Sequence, residues 1–187
     1  MGDIGTHAFN LAEYITGLQV TQLCAALNVV VEGRALDDDG GVLLQFNNGA
    51  TGVLTASQIA AGEENNLSIK VYGELGGLEW HQQEPNTLTV RWLDKPTEVL
   101  RAGMGYMSDV AKNNSRTPGG HPEGYLEAFA NIYRNFARTL SAKLEGGKVD
   151  TALVDFPSVQ EGIRGMAFID NVVRSSQSKE KWTSFEV

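Results

Sequence analysis

The stretch GVLLQFNNGATGVLTASQI, residues 41–59, decides the fold. Two runs rich in apolar and β-branched residues, Gly41–Phe46 and Thr51–Ile59, flank Asn47-Asn48-Gly49. Asn-Gly between such runs predicts a β-hairpin, because the turn needs a positive φ that glycine adopts without steric cost. The same texture continues on both sides, at Val20–Val31, Leu67–Tyr72, Leu78–Gln82, Thr87–Trp92 and Glu98–Arg101. Turn-forming clusters separate these runs: Asp37-Asp38-Asp39-Gly40-Gly41, Glu63-Glu64-Asn65-Asn66, Gly73-Glu74-Leu75-Gly76-Gly77 and Pro85-Asn86. The pattern predicts a meander of about six or seven strands, mainly antiparallel.

Helical periodicity brackets the meander. Ile4, Ala8, Leu11 and Ile15 recur at helical spacing over residues 3–16, and Gly17 is placed to end that helix. Pro122 suits a first helical position, and Tyr125, Phe129, Ile132, Tyr133, Phe136 and Leu140 then keep one apolar face that is expected to be core. Gly146-Gly147 stops that helix. Ser158 with Glu161 forms a capping box for another, whose expected buried stripe is Val159, Ile163, Met166, Ile169 and Val173. Trp182 and Phe185 are expected to return as a last short strand. This order gives an α+β fold, an open, mainly antiparallel sheet with helices on one face. The strands are apolar on both pleats, as at Val42, Leu43, Leu44 and Phe46, so the uncovered face is expected to self-associate.

The 187 residues are read as one domain, 42% hydrophobic, with a net charge of −8 from 15 basic and 23 acidic residues. That balance argues against general binding to nucleic acid or to an anionic membrane. No apolar run reaches the ~18 residues of a membrane span. No secretory signal is read at the N-terminus, and a cytoplasmic location is the default. A single cysteine, Cys24, excludes an internal disulfide, and packing is its expected role. The segment Gly103-Met104-Gly105-Tyr106-Met107-Ser108 lacks the third glycine of a dinucleotide fingerprint. Gly146-Gly147-Lys148 is no P-loop, and neither GxSxG nor HExxH occurs.

Two groups of residues could carry chemistry. Asp3 and His7 are four apart on the first helix, and Asn10 and Tyr14 extend the same polar stripe. An aspartate one turn from a histidine can orient the ring and raise its basicity, as a general base requires. The alternative is an ordinary exposed helix face, and no metal site is read from the pair. The second group is Arg116-Thr117-Pro118-Gly119-Gly120-His121-Pro122-Glu123-Gly124-Tyr125, a glycine- and proline-loaded loop that delivers His121 and Glu123 to a helix start. Its alternative is plain helix capping. The acid run Asp37–Asp39 is read as a solvated turn.

Gly2-Asp3-Ile4-Gly5-Thr6-His7-Ala8, Asn48-Gly49-Ala50-Thr51-Gly52, Val71-Tyr72-Gly73-Glu74-Leu75-Gly76-Gly77-Leu78-Glu79-Trp80, Gly120-His121-Pro122-Glu123-Gly124-Tyr125 with Glu127-Ala128-Phe129-Ala130-Asn131-Ile132-Tyr133, and Asp155-Phe156-Pro157 follow one another in a specific order. Together they resemble the C-terminal domain of the Gfo/Idh/MocA oxidoreductases, relatives of glucose–fructose oxidoreductase and inositol dehydrogenase. The resemblance implies a fold of the glyceraldehyde-3-phosphate dehydrogenase C-terminal type. It also implies a two-domain enzyme that uses NAD or NADP on sugars, cyclitols or their derivatives. His7 would then take the hydroxyl proton as hydride leaves the same carbon, and Asp3 would tune it. His121, with Arg116, Asn10 and Glu123, would face the substrate. The domain would also make a homodimer or tetramer through its open sheet. The family's catalytic lysine and cofactor site belong to a Rossmann domain that is expected to be absent here. Residues 1–187 are therefore expected to form the C-terminal substrate and oligomerisation domain, inactive and cofactor-free alone. The alternative is a non-catalytic α+β dimerisation or ligand-binding module.

Overall fold

A computed structural model describes residues 1–187. In chain order the elements are α1 (Ile4–Thr16), β1 (Val20–Asn28), β2 (Asp39–Phe46), β3 (Thr51–Ser57), β4 (Ser68–Tyr72), β5 (Gly76–His81), β6 (Thr87–Trp92), β7 (Glu98–Arg101), α2 (Asp109–Asn114), α3 (Tyr125–Leu144), α4 (Val159–Gln177) and β8 (Thr183–Ser184). The fold is α+β. The strands form two open antiparallel sheets of four, ordered β3-β2-β1-β8 and β4-β5-β6-β7, where the sequence reading counted one meander. The chain divides into two compact units, one made of residues 1–65 and 158–187, the other of 66–157. The hairpin of residues 41–59 forms as expected, with Gly49 at φ +87°.

In the first unit α1 and α4 lie on one face of the sheet, α1 over β3 and α4 over β1. Leu23, Val42, Leu44, Leu54, Phe168 and Val172 fill the space beneath them. A bulge at the start of β1 lets Val20 and Leu23 both turn inward although they are three residues apart. Phe9 stacks on Phe168 at 4.4 Å and on Phe185 at 5.6 Å, so the tail does dock, with β8 paired to β1. Asn171 grips that tail at two points, donating to the Glu186 carbonyl at 2.8 Å and accepting from its N–H at 3.1 Å. Arg164 of α4 forks onto Glu13 of α1, at 2.7 and 2.6 Å, and stacks over the Phe185 ring.

Four expectations are corrected. The buried face of α4 carries Phe168, Asn171, Val172 and Ser175; Val159, Ile163, Met166 and Val173 are exposed. The stripe that wins is the one that reaches the core aromatic stack and the tail. Helix α3 is inverted more completely. Its apolar residues Tyr125, Phe129, Ile132, Tyr133, Phe136 and Leu140 are exposed, whereas Asn131, Asn135 and Thr139 are buried. An amide network sets this orientation. Asn135, 1% exposed, donates to Asn114 Oδ1 at 3.2 Å and to Asp155 Oδ1 at 2.8 Å, and Asn131 donates to the Asn114 carbonyl. Buried amides need partners, and here α2 and Asp155 supply them. Helix α3 also begins later than Pro122. The Gly124 N–H donates to Glu127 Oε2 at 2.9 Å, which caps a helix starting at Tyr125. Finally, Asp38 is not solvated. It is buried and accepts from the N–H groups of Val30 (2.8 Å) and Val31 (2.9 Å), which hold its pKa below the usual value.

In the second unit the sheet alternates over β4, β5 and β6, and at Leu100 of β7. Ile69, Val71, Leu78, Trp80, Leu88, Val90 and Leu100 share one pleat; Lys70, Glu79, His81 and Arg91 share the other. Glu79 sits between three cationic or potentially cationic side chains. His81 Nε2 is 2.9 Å and Lys70 Nζ 3.1 Å from Oε1, and Arg91 meets Oε2. The His81 contact, then those of Lys70 and Arg91, lower the Glu79 pKa from 4.5 to about 2. A carboxyl whose folded pKa is depressed contributes stability that is present above its unfolded pKa and is lost as pH falls toward the folded one. Urea unfolding is therefore expected to show a Glu79-dependent loss of stability between about pH 5 and pH 2. Glu79→Gln should flatten that part of the pH profile; an unchanged slope would assign it to other carboxyls.

Candidate functional site

Helix α1 carries the first group. Gly17 ends it in a left-handed conformation at φ +66°, its N–H donating to the Glu13 carbonyl at 2.9 Å. With the apolar face of α1 held by Phe9 in the core, the opposite face turns outward. His7, Asp3 and Tyr14 are exposed there, and Asn10 is half-buried. Asp3 stands at the N-cap, yet its carboxylate does not cap the helix and is not hydrogen-bonded to His7. Its Oδ2 accepts from Gln58 Nε2 at 3.0 Å. Gln58 follows β3, and the β2–β3 register brings it to the start of α1 across 55 residues of sequence. No local signal in the sequence marks it. The His7 ring is left free to meet a ligand.

The second group lies in the other unit. Arg116 Nε donates to Asn131 Oδ1 at 2.7 Å, tying the loop to α3. Glu123 Oε2 accepts from the N–H of Arg116 at 2.8 Å and of Thr117 at 2.9 Å, which closes residues 116–123 into a compact loop. Of the two side chains, Arg116 thus reaches α3 and Glu123 braces the loop. His121 is exposed, its Nδ1 lying 3.2 Å from the Pro118 carbonyl. It lines a polar cavity of about 300 Å³ with Gln83, Glu84, Asn86, Arg101 and Glu123. Arg101, then Thr87, hydrogen-bonds Glu84 and holds its pKa below the usual carboxylate value. A second cavity of about 300 Å³ adjoins the same turn between β5 and β6 and is more apolar, lined by Trp80, Leu88, Leu100, Tyr106 and Met107.

Asn86 was read only as a turn residue. Its side chain grips Glu123 at both backbone groups, a tie across 37 positions that sequence spacing does not show. The glycine pair near residue 103 also has a local reason. Gly103 has φ +78°, and a Cβ there would meet the Gly119 backbone at 2.9 Å. It allows two loops to touch rather than a phosphate to bind. Nor do three or more His, Cys, Asp or Glu side chains gather as a metal would need. Both sheets are antiparallel throughout. No helix is long and apolar enough to cross a membrane.

The fold and sequence both have known counterparts. The structure of an oxidoreductase from Sinorhizobium meliloti superposes with a TM-score of 0.90 at 44% identity, over 97% of this chain and 51% of that one. An inositol dehydrogenase homolog from Azotobacter vinelandii, solved with NADH and myo-inositol, gives 0.88 at 31% identity over 98% and 49%. The uncharacterized oxidoreductase YfiI of Bacillus subtilis is 34% identical over the whole chain and 48% of its own length. The chain thus spans about half the length of the relatives it matches. The family model described as the oxidoreductase family, C-terminal alpha/beta domain, matches residues 1–184, and the chain therefore belongs to the Gfo/Idh/MocA oxidoreductase family as its C-terminal domain.

Proposed function

We propose that this chain is the substrate-binding and oligomerisation half of an NAD(P)-dependent oxidoreductase acting on a CH–OH group of a sugar, cyclitol or related polyol. The observation that carries the reading is the free, exposed imidazole of His7 one helical turn from Asp3. A neutral imidazole can take the hydroxyl proton as the carbon is oxidised. The nicotinamide that accepts the hydride belongs to the other half of the longer protein. Asp3, held by Gln58, fixes the electrostatics beside the ring rather than bonding it directly. In the first unit the half-buried Asn10 is the proposed polar contact beside His7; in the second, taken by itself, His121 on its glycine-rich loop is the proposed one. The homology to a protein solved with NADH and myo-inositol supports this substrate class.

The isolated chain is expected to bind neither NAD nor NADP with millimolar or better affinity and to show no dehydrogenase activity. Calorimetry on the purified chain tests this, and stoichiometric dinucleotide binding would overturn the division of labour proposed here.

The open face of the β3-β2-β1-β8 sheet is the proposed contact between copies. Val53, 74% exposed, and Leu43 point to that side, whereas Leu54, 6% exposed, points into the core. Val53→Asp is expected to split the oligomer and leave the fold intact, and Leu54→Asp to unfold the chain. Light scattering at tens of micromolar reads both; a monomeric parent chain would remove the proposal.

A further inference from the structure

We infer that Asn86 is a positioning residue for His121. The inference rests on the reading that His121 meets the substrate, and it extends that reading to a residue outside the loop. Asn86 sits on the turn between β5 and β6, which is pinned from three sides. Trp80 Nε1 donates to the Pro85 carbonyl at 3.1 Å, the Thr87 N–H to the Glu84 carbonyl at 3.1 Å, and the Ala102 N–H to the Asn86 carbonyl at 3.0 Å. From this rigid base the Asn86 amide donates to the Glu123 carbonyl at 2.8 Å and accepts from its N–H at 3.4 Å. The geometry repeats the two-point grip that Asn171 exerts on Glu186. Glu123 passes the constraint on, because its carboxylate closes the loop onto Arg116 and Thr117.

His121 stands two residues before Glu123 in a loop that would otherwise be loose. Gly119 and Gly120 precede it, Gly120 at φ +85°. At His121 itself the N–H donates to the Pro118 carbonyl at 3.1 Å, Nδ1 lies 3.2 Å from that carbonyl, and Thr117 Oγ1 donates to the His121 carbonyl at 3.2 Å. Asn86 and His121 line the same polar cavity. Both ends of the Asn86 amide, Nδ2 and Oδ1, engage Glu123, and through it the loop. A rigid hairpin thus fixes where a flexible loop presents its imidazole. Misplacing a binding group by an ångström loses much of what its orientation contributes.

Two measurements test this. The ring signals of His7, His81 and His121 can be followed by NMR on the present chain. Asn86→Ala is expected to broaden or move the His121 signal alone. Unchanged His7 and His81 signals show that the fold is kept, and an unmoved His121 signal would overturn the clamp. If Asn86→Ala does not fold, Asn86→Asp, which keeps the acceptor but loses the donor to the Glu123 carbonyl, should give a smaller change of the same kind. In the longer protein the substrate is the best-oxidised member of a panel of inositols, aldoses and anhydrosugars. Asn86→Ala is expected to raise its KM about tenfold, with kcat and the cofactor KM little changed. In a His121→Ala background the same substitution should add nothing, because coupled residues are non-additive. Additive effects, or an unchanged KM in Asn86→Ala beside a raised one in His121→Ala, overturn the positioning role alone. An unchanged KM in His121→Ala, or no turnover of any polyol, overturns the substrate reading and the positioning role with it.

Discussion

Alanine at position 7, in the longer protein that carries the cofactor half, is expected to lower kcat by about 10²–10⁴-fold, the range for removing a general base. Cofactor binding should change little, because the proposed cofactor site belongs to the other half of that protein. The effect is expected to be large because nothing else nearby can replace the ring. Asp3 is engaged by Gln58, and Asn10 and Tyr14 are the remaining polar side chains of the stripe. Asp3→Asn should cost much less, since an asparagine oxygen can still accept from Gln58 while the charge beside the ring is lost. Steady-state kinetics with both substrates varied separates these cases. Near-normal turnover in the His7 variant would leave Asp3 and His7 as an ordinary polar helix face.

Arg164→Ala is expected to destabilise the first unit by about 3–5 kcal/mol, the usual result of stranding one partner of a buried ion pair. Glu13 and Arg164 are both largely buried, and Glu13 Oε1 also accepts from the Val20 N–H at 2.8 Å. The pair therefore joins α1, the start of β1 and α4 at one point, and the guanidinium also covers the Phe185 ring. Removing it leaves a carboxylate without its counter-charge and an aromatic ring without a lid. Replacing both partners together, as Glu13→Gln with Arg164→Met, should be far milder, because no buried charge is left alone. Denaturant unfolding of the two variants distinguishes a charge effect from lost packing.

Much of the architecture is written in short-range patterns. The hairpin at Asn48-Gly49, the stop at Gly17 and the capping box at Ser158 all rest on chemistry within a few residues. The failures share a cause. In α3 the apolar period is real but faces outward, because Asn114 and Asp155 meet the other side and buried amides demand partners. In α4 the same helix offers two overlapping stripes, and contact with Phe9 and the tail selects the one through Phe168. The site shows the same division. Asp3 and His7 are legible from their spacing. Gln58 and Asn86 are not, because strand register and a cross-loop amide bring them into place.

The chain order of the two units has a consequence for how such a protein can diversify. Residues 66–157 form one continuous insert in a unit whose own chain is discontinuous. The principal hydrophobic cluster draws every member from outside that insert. The helix bearing His7 and the loop bearing His121 are therefore parts of separately encodable pieces. Exchanging the insert between homologues would replace the His121 loop, its Asn86 clamp and both neighbouring cavities together, while every residue of that cluster is kept. On the proposed reading of His121, substrate preference would then drift by segment exchange as well as by point mutation, with the helix that bears His7 inherited unchanged.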